Sequence, residues 1–324
     1  MRLVMMGTGP FAVPTFAALV ASTHTVGALV TRPAVVGQTR GKSQVPPNPM
    51  RQFAEAQGIP VFDPPSINDP TSREWLAQQQ PDLLVVCDYG QILAPEVLQT
   101  APLGGINLHG SLLPKYRGAA PIQWAVWRGE TETGVTVIHM TPGLDAGPCL
   151  CQRTTEIGPT ETAADLESRL ANLGVELVVE AIALLGKWDR RSAIGIPQDN
   201  RQATRAPRLK KNDGMVDWSR SAREIECQSR AVQPWPGLFT HYLRPNHEPL
   251  RVILDSVLCV PPTAGETANA CGHLRESGEG LLVATGDGSV LVRRLQPAGR
   301  KMMDVSEFLR GHPLVVDARF GPAT

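Results

Sequence analysis

Leu83-Leu84-Val85-Val86-Cys87 is the stretch of the 324-residue sequence that decides the fold. The run is apolar at every position, so both faces of the strand that it predicts must be covered. A strand covered on both faces is typical of the centre of a parallel sheet with helices on each side. The sequence around the run alternates strands and helices, as such a sheet requires. The predicted neighbours are strand 3–6, helix 11–22, strand 26–31, helix 49–57 and strand 105–108.

Further patterns complete the predicted organisation. Strands over 134–140 and 148–155 extend the sheet, and a helix over 163–185 closes the domain. We therefore predict an α/β domain over residues 1–188, with an open, mostly parallel, doubly wound sheet. Ser221 and Glu224 then open a short helix, and strands follow with turn residues between them. This pattern predicts a smaller β domain over 209–324, whose size fits a five-stranded barrel of the OB type. Its predicted strands are 238–243, 250–257, 280–284 and 289–296.

Charge is distributed unevenly along the chain. Lys and Arg together number 31, as do Asp and Glu, so the net charge is zero. The segment 187–211 nevertheless holds eight basic and two acidic residues, and it lacks apolar periodicity. It predicts an exposed basic linker over 189–208 between the two domains. Such a segment is either a solvated tether or a contact for a polyanion such as RNA.

Composition excludes several classes of protein. The apolar runs are much shorter than the roughly 20 residues that cross a bilayer, and the N-terminus lacks the residue order of a secretory signal. We expect a cytoplasmic protein without a membrane span. The six cysteines form no Cys-x-x-Cys pair and have no histidine at ligand spacing. Neither a zinc site nor a disulfide framework is expected.

The glycine-rich turn Gly7-Thr8-Gly9-Pro10-Phe11-Ala12 follows the first strand and opens the first helix. Its spacing matches the fingerprint of dinucleotide-binding proteins. The second strand ends at Arg32 without the acidic residue that binds a ribose hydroxyl, so an NADP-dependent oxidoreductase is the form of this hypothesis that remains. A tight turn with Pro10 near the first helical position explains the same residues structurally.

A second set of residues indicates acyl transfer. Asn107 and His109 are two residues apart on a strand and so share one face, near the carboxyl end where open parallel sheets bind ligands. An amide can donate to a developing oxyanion, and an imidazole can move a proton at neutral pH. Asp145 lies in a glycine-rich turn from which a carboxylate can face a histidine. Taken separately, these residues are also compatible with a satisfied polar cluster and an ordinary turn.

Together, Asn-x-His, Ser-Leu-Leu-Pro and Gly-Leu-Asp-x-Gly occur in an order that resembles the formyltransferase family that uses 10-formyltetrahydrofolate. The resemblance implies that Asn107, His109 and Asp145 are catalytic and that no metal is required. It also implies 10-formyltetrahydrofolate as co-substrate. The residues that it places at the folate site are Ser111, Leu112, Leu113 and Pro114, with Tyr89 and Gly90 on the pterin side.

The second domain narrows the choice within that family. Short members that act on a purine precursor stop near residue 200, and the stretch 117–123 is similar to members that formylate initiator tRNA. The resemblance therefore implies transfer to the α-amino group of methionine on initiator tRNA, by a monomer. It also implies tRNA contacts through Arg40 and Lys42 of the loop 32–49, and through Lys210 and Lys211 beside the barrel. An amino-sugar nucleotide is the alternative acceptor.

The sequence departs from the family pattern at two places. The family has Gly-Thr-Pro and an acidic residue before Phe-Ala, whereas this chain has Gly9 and Pro10 there. The loop 32–39 also lacks an Asp and a basic residue that the family often has. Neither departure affects the three residues that the resemblance makes catalytic.

Overall fold

A computed structural model describes residues 1–33, 48–255, 257–262 and 270–323. The chain forms two compact units. The first comprises Met1–Pro121, Glu132–Glu156 and Asp165–Arg208. The second comprises Ile122–Thr131, Ile157–Ala164 and Leu209–Thr324. Two short segments from the first half of the chain therefore belong to the second unit, whereas the sequence pattern places them in the first.

The first unit is built on a seven-stranded sheet with the strand order β3-β2-β1-β4-β5-β6-β7. The strands from β3 to β5 are parallel, and β6 and β7 are antiparallel. The predicted open, mostly parallel sheet is confirmed. Its strands are β1 (Arg2–Gly7), β2 (Thr25–Val30), β3 (Val61–Phe62), β4 (Leu83–Cys87), β5 (Gly105–His109), β6 (Glu132–His139) and β7 (Cys149–Glu156).

Six α-helices accompany these strands along the chain, and four of them begin at a proline. Proline suits the first helical position because its missing N–H would have no partner inside the helix. The sequence pattern did not predict α3, α4 and α5, which have nine, four and seven residues. The helices are α1 (Val13–Val20), α2 (Pro49–Ala56), α3 (Pro70–Gln78), α4 (Pro95–Leu98), α5 (Pro121–Trp127) and α6 (Ala163–Leu185).

Strand β4 lies at the centre of the sheet, as its unbroken apolar run predicts. All five of its residues are buried. Val85 pairs with Met5 of β1 on one side and with Ile106 of β5 on the other. The two parallel neighbours bring the carboxyl ends of β1, β4 and β5 to the same edge of the sheet.

The alternation along β5 separates packing from chemistry. Leu108 is 2% exposed and packs against α6, where a Cβ placed on Gly174 would lie 2.5 Å from Leu108 Cδ2. Asn107 and His109 therefore point to the opposite face of β5. The contact between α6 and Leu108 fixes the strand that carries both polar side chains.

The second unit contains an antiparallel barrel, which confirms the predicted fold of this domain. A five-stranded sheet has the order β15-β14-β9-β8-β16, and a four-stranded sheet has the order β10-β13-β12-β11. A bridge between His273 and Arg319 joins the two sheets. The strands are β8 (Leu238–Leu243), β9 (Leu250–Leu254), β10 (Val257–Val260), β11 (Leu274–Ser277), β12 (Gly280–Ala284), β13 (Ser289–Val292), β14 (Arg294–Pro297), β15 (Met303–Asp304) and β16 (Arg319–Gly321).

Two predicted strands of this unit are each divided in two. The strand predicted over 250–257 becomes β9 and β10, and the strand predicted over 289–296 becomes β13 and β14. Each half joins a different sheet, because a chain that passes from one packed sheet to the other must bend between them. The described part of this unit also holds α7 (Ala222–Ala231), α8 (Val305–Gly311) and, from the first half of the chain, most of α5. Ser221 and Glu224 form the reciprocal capping box that their spacing predicts.

The basic segment before the barrel is exposed but not a free tether. Most of its side chains face solvent. Its backbone, however, is hydrogen bonded to loops of the first unit, for example from Arg117 N to Thr204 O at 2.9 Å and from Ala206 N to Arg117 O at 2.8 Å. These bonds join polar backbone groups and involve no apolar stripe, which is why periodicity did not predict them. Within the described ranges, no helix has the length and apolar character needed to span a membrane.

We expect Leu108→Ala to lower the free energy of unfolding of the first unit by about 2–5 kcal/mol, because it leaves a cavity between β5 and α6. Urea denaturation followed by circular dichroism measures the change. Leu184→Ala is the matched control, since Leu184 lies on α6 and is 40% exposed, and it should cost only about 0.5 kcal/mol. Equal effects of the two substitutions would contradict the packing described here.

Candidate active site

The candidate active site lies where β4 and β5 end. Asn107 and His109 lie in the last three residues of β5, and Tyr89 and Gly90 lie two and three residues after the end of β4. Because the two strands are adjacent and parallel, these residues share one edge of the sheet. The sequence predicted this edge for Asn107 and His109 from the polarity of the strand, and the family resemblance implied it for Tyr89 and Gly90.

Asp145 joins Asn107 and His109 there. Asn107 Nδ2 donates to Asp145 Oδ1 at 3.3 Å. His109 Nδ1 lies 3.8 Å from Asp145 Oδ2, which is an ion-pair distance but too long for a direct hydrogen bond. The side chains of His109 and Asp145 are 5% and 12% exposed, so their charges interact in a medium less polar than water. The structure thus brings the three predicted residues together.

The tautomer of His109 follows from its other contact. His109 Nε2 lies 2.9 Å from the backbone oxygen of Tyr116. A carbonyl oxygen only accepts, so Nε2 carries a proton and donates it. Nδ1 is therefore the ring nitrogen at which the imidazole can accept or release a proton. That atom faces Asp145.

The turn that carries Asp145 is held against two backbone segments. Asp145 has a φ of +47°, which is uncommon outside glycine. Gly118 N donates to Asp145 Oδ2 at 2.8 Å. Gly118 itself has a φ of +131°, and a Cβ there would lie 2.4 Å from Ala206 O. A Cβ at Gly147 would lie 1.8 Å from His139 O, so this glycine is required by the close approach of the turn to the end of β6.

Residues 111–114 form the loop after β5, and a buried threonine on β6 organises it. Thr136 Oγ1 donates to Ser111 O at 2.6 Å and accepts from Leu113 N at 3.1 Å. Gln152 Nε2 donates to Leu113 O at 3.0 Å and to Thr136 Oγ1 at 2.9 Å. Ser111 is fully buried, and its hydroxyl donates to Lys115 O at 2.7 Å. The loop that was predicted to line a folate site is therefore fixed by its backbone.

The loop after β4 is fixed by Arg32. Its Nε donates to Tyr89 O at 3.0 Å, and its Nη2 donates to Gly90 O. This guanidinium was the residue on which the NADP hypothesis depended, and here it binds protein carbonyls. The Tyr89 side chain is 1% exposed, so the surface that this loop offers to a ligand is formed chiefly by backbone. Burial raises the pKa of the Tyr89 phenol, which keeps it neutral.

Two cysteines lie near the site, and neither has the character of a nucleophile. Burial raises the pKa of the Cys87 thiol, and the carboxylates of Asp88 and Glu167 raise it further. Burial also raises the pKa of Cys149, against a smaller opposing effect of Arg117. Both thiols are protonated at neutral pH and so are poor nucleophiles. The chemistry of the site rests on the amide, the imidazole and the carboxylate.

Sequence reasoning missed two polar residues that support the site, Thr136 and Gln198. Thr136 lies among apolar residues of β6, so its strand pattern indicates only packing. Its partners lie in the loop 111–114, which is distant in the sequence. Gln198 lies in the basic segment, where nothing local distinguishes it. Its Nε2 donates to Asp145 O at 2.8 Å and to Gly147 O at 2.7 Å. Only the three-dimensional arrangement reveals either contact.

The residues predicted to contact tRNA have two different outcomes. Arg40 and Lys42 lie outside the described residues. Lys210 and Lys211 are exposed and lie at the start of the second unit, where Lys211–Gly214 forms a short 3-10 helix.

Among the described residues, no group of three or more His, Cys, Asp or Glu side chains could hold a metal ion.

Comparison with protein families identifies the class of enzyme that this fold and site define. Residues 1–182 match the family described as formyl transferase, and residues 208–313 match the C-terminal domain of formyl transferase. A solved structure with the same fold is an N-formyltransferase from Helicobacter canadensis in complex with folinic acid and dTDP-3-aminofucose. Its TM-score is 0.63 at 18% identity, and the match covers 92% of this chain and 99% of that one.

Curated relatives define the branch of the class. The methionyl-tRNA formyltransferase of Rhodopirellula baltica is 48% identical over 320 residues, which is 97% of this chain and 95% of that protein. The methionyl-tRNA formyltransferase of Geobacter sulfurreducens is 41% identical, with 100% and 98% covered. This chain belongs to the methionyl-tRNA formyltransferase family. Membership decides against the oxidoreductase that the glycine-rich turn left open.

We expect Thr136→Val to destabilise the first unit by about 1–3 kcal/mol, because the new side chain has the same shape but leaves a buried N–H of Leu113 without its acceptor. The urea midpoint and the thermal midpoint measure the loss. Thr133→Val is the control, since Thr133 is buried on the same strand but three residues away, and so points to the other face. If both variants are equally stable, Thr136 does not hold the loop.

Proposed function

We propose that this protein transfers the formyl group of 10-formyltetrahydrofolate to the α-amino group of methionine esterified to initiator tRNA. The observation that carries the proposal is the convergence of Asn107, His109 and Asp145 at the carboxyl edge of the sheet, in a chain of this family. The new bond joins the amine nitrogen to the formyl carbon. The bond that breaks joins that carbon to N10 of the folate, and the proton lost by the amine goes to N10.

The N–H groups of the site suit a substrate that donates a formyl group. 10-Formyltetrahydrofolate supplies an acyl carbon whose oxygen becomes negative as the amine attacks. An amide has two N–H donors, and the contact with Asp145 uses one of those of Asn107. The second N–H of Asn107 can donate to the formyl oxygen. Donors fixed in position before the reaction lower the barrier because they need no reorganisation while charge develops.

His109 supplies the second hydrogen-bond donor to the formyl oxygen. Its Nε2 is committed to Tyr116 O, so the imidazole donates or receives protons at Nδ1. Nδ1 of His109 and Nδ2 of Asn107 both lie beside the carboxylate of Asp145. Two donors can therefore reach one oxygen placed beside that carboxylate. A protonated His109 adds positive charge where negative charge develops.

Asp145 balances this charge and assists the proton transfer. The Asp145 carboxylate lies 3.8 Å from Nδ1 of His109, where it can pair with an imidazolium that forms during the reaction. The same distance leaves room for a water molecule or a reacting group to bond to both atoms. We infer that a water held by Asp145 carries the proton from the amine to N10. Attack by the amine is direct, since neither nearby thiol is an activated nucleophile.

The loops on either side would bind the two substrates. We propose that Ser111, Leu112, Leu113 and Pro114 contact the folate, and that the backbone at Tyr89 and Gly90 receives its pterin ring. The barrel domain and the exposed Lys210 and Lys211 would bind the tRNA backbone, because ammonium groups bind phosphates without reading sequence. Arg40 and Lys42 of the loop 32–49 remain part of this proposal.

We expect Asn107→Ala to lower kcat about 10²-fold or more, by removing one oxyanion donor. Initial rates of formyl-methionyl-tRNA formation measure the change at saturating folate and tRNA. Asn172→Ala is the control, because Asn172 is exposed on α6 and its side chain donates only to Ser168 O within its own helix. Turnover within a few-fold of the wild type in Asn107→Ala would remove Asn107 from this role.

We expect the double substitution of Lys210 and Lys211 by Ala to weaken tRNA binding and to make it less sensitive to salt. Each phosphate contact contributes roughly 0.7–0.9 to the slope of log Kd against log salt concentration. Filter binding between low and moderate salt measures both quantities. The double substitution by Arg keeps the charge and should keep both near the wild-type values. An unchanged slope in the Ala variant would place tRNA elsewhere.

The acceptor can be tested directly by following the formyl label. We expect labelled 10-formyltetrahydrofolate to label methionyl initiator tRNA when that tRNA, a 4-amino sugar nucleotide and water compete for it. Label on the sugar would identify the protein as a sugar formyltransferase. Free labelled formate, with neither acceptor labelled, would identify a hydrolase.

A further inference from the structure

Gln198 uses its whole side-chain amide to connect two loops of the site. Its Nε2 donates to Asp145 O at 2.8 Å and to Gly147 O at 2.7 Å. Its Oε1 accepts from Arg117 Nε at 3.1 Å and from Arg117 Nη2 at 2.7 Å. A glutamine amide has two donor hydrogens and two acceptor lone pairs, so these bonds use all of them. Such a residue fixes the position of its partners rather than filling space.

The backbone of Asp145 needs such support. Residues other than glycine uncommonly adopt the left-handed region, and Asp145 has a φ of +47°. A strained conformation persists only where the surroundings determine it. Two hydrogen bonds from one amide to the carbonyls of Asp145 and Gly147 fix the plane of this turn. The direction of the Asp145 side chain follows from that plane.

Arg117 carries the same constraint to the carboxylate. Its guanidinium lies between Gln198 and Asn200, with Nη2 2.9 Å from Asn200 Oδ1. The next residue, Gly118, donates its N–H to Asp145 Oδ2 at 2.8 Å. The Gln198 amide is thus bonded directly to the carbonyl end of Asp145 and, through Arg117 and Gly118, is connected to its carboxylate end.

We propose that Gln198 is a positioning residue that holds Asp145 in the orientation needed to face His109 and Asn107. The proposal rests on the proposed role of Asp145. It assigns a part in catalysis to the basic segment that the sequence presented as a linker. Gln198 acts through Asp145 and does not touch the reacting atoms.

Two variants test the role of the amide. Gln198→Ala removes all four hydrogen bonds, and Gln198→Glu keeps the shape but turns a carboxylate oxygen toward the carbonyls of Asp145 and Gly147. We expect each to lower kcat about 10-fold to 100-fold, because displacements of about 1 Å in a catalytic group cost that much. The KM for folate and for tRNA should change by less than about 2-fold, since the hydrogen bonds of the Gln198 amide all go to protein groups. A rise in KM with unchanged kcat would overturn the proposal.

A double-substitution cycle distinguishes positioning of Asp145 from a general structural effect. Asp145→Asn keeps the size of the side chain but removes its charge. If Gln198 acts through Asp145, then adding Gln198→Ala to Asp145→Asn should lower kcat by less than about 2-fold more. If the two effects multiply, Gln198 acts independently of Asp145 and the proposal is wrong. Gln202→Ala is the matched control, because Gln202 is exposed in the same segment and its side-chain amide donates to Asp199 Oδ2, within the segment itself.

The result separates this proposal from the proposed function. The rates are measured with whichever acceptor takes the formyl label from the wild-type enzyme, so an unexpected acceptor overturns the function and leaves the cycle informative. Full activity of Gln198→Ala together with loss of activity in Asp145→Asn overturns the positioning role alone. Thermal midpoints within a few degrees of the wild type establish that a lost rate does not arise from unfolding. Where Gln198→Ala lowers the midpoint further, Gln198→Glu provides the test.

Discussion

The carboxylate of Asp145 is the group on which the arrangement of the site depends. It accepts from Gly118 N at 2.8 Å and from Asn107 Nδ2 at 3.3 Å, and it faces His109 Nδ1 at 3.8 Å. The three partners come from the loop after β5 and from β5 itself, whereas Asp145 comes from the turn after β6. One charged group therefore aligns the donors of two chain segments. In a site this buried, an uncompensated carboxylate would be costly, and the surrounding N–H groups offset that cost.

The packing of the first unit places these segments before any side-chain contact is made. Strand β4 is apolar on both faces and forms the centre of the sheet, and its parallel neighbour β5 ends at the same edge. Leu108 is buried against α6, so the residues on either side of it must face the other way. The Thr136 hydroxyl, which donates to Ser111 O and accepts from Leu113 N, then fixes the loop after β5. Hydrophobic packing thus determines where the site lies, and polar networks determine its geometry.

Much of this could be predicted from the residues, and the reasons differ from element to element. The bounds of β4 follow from an unbroken apolar run, and the shared face of Asn107 and His109 follows from the two-residue period of a strand. Both signals are local properties of the sequence. The approach of Asp145 to His109 did not follow from spacing, because a turn 36 residues away in sequence has many possible positions; only the resemblance to a family implied it. Gln198 was not predicted at all. Two of its bonds run to backbone carbonyls, which every residue has, and the other two come from Arg117, which is 81 residues away in the sequence. Neither kind of partner leaves a local signal in the sequence.

The departure from the family pattern at Gly9 also has a physical explanation in the structure. Gly9 takes the place of a residue with a side chain, and a Cβ there would lie 1.9 Å from Asp88 Oδ2. The missing side chain therefore makes room for the carboxylate of Asp88, to which the backbone N–H of Gly9 donates. In this chain an acidic side chain reaches the start of the first helix from Asp88, the residue that follows β4. Arg32 and Arg208 are close enough to act on the Asp88 carboxylate electrostatically. Burial raises the pKa of the Asp88 carboxyl, and these two arginines and the Gly9 N–H oppose that rise. The effect of any substitution at Gly9 therefore depends on the side chain at position 88.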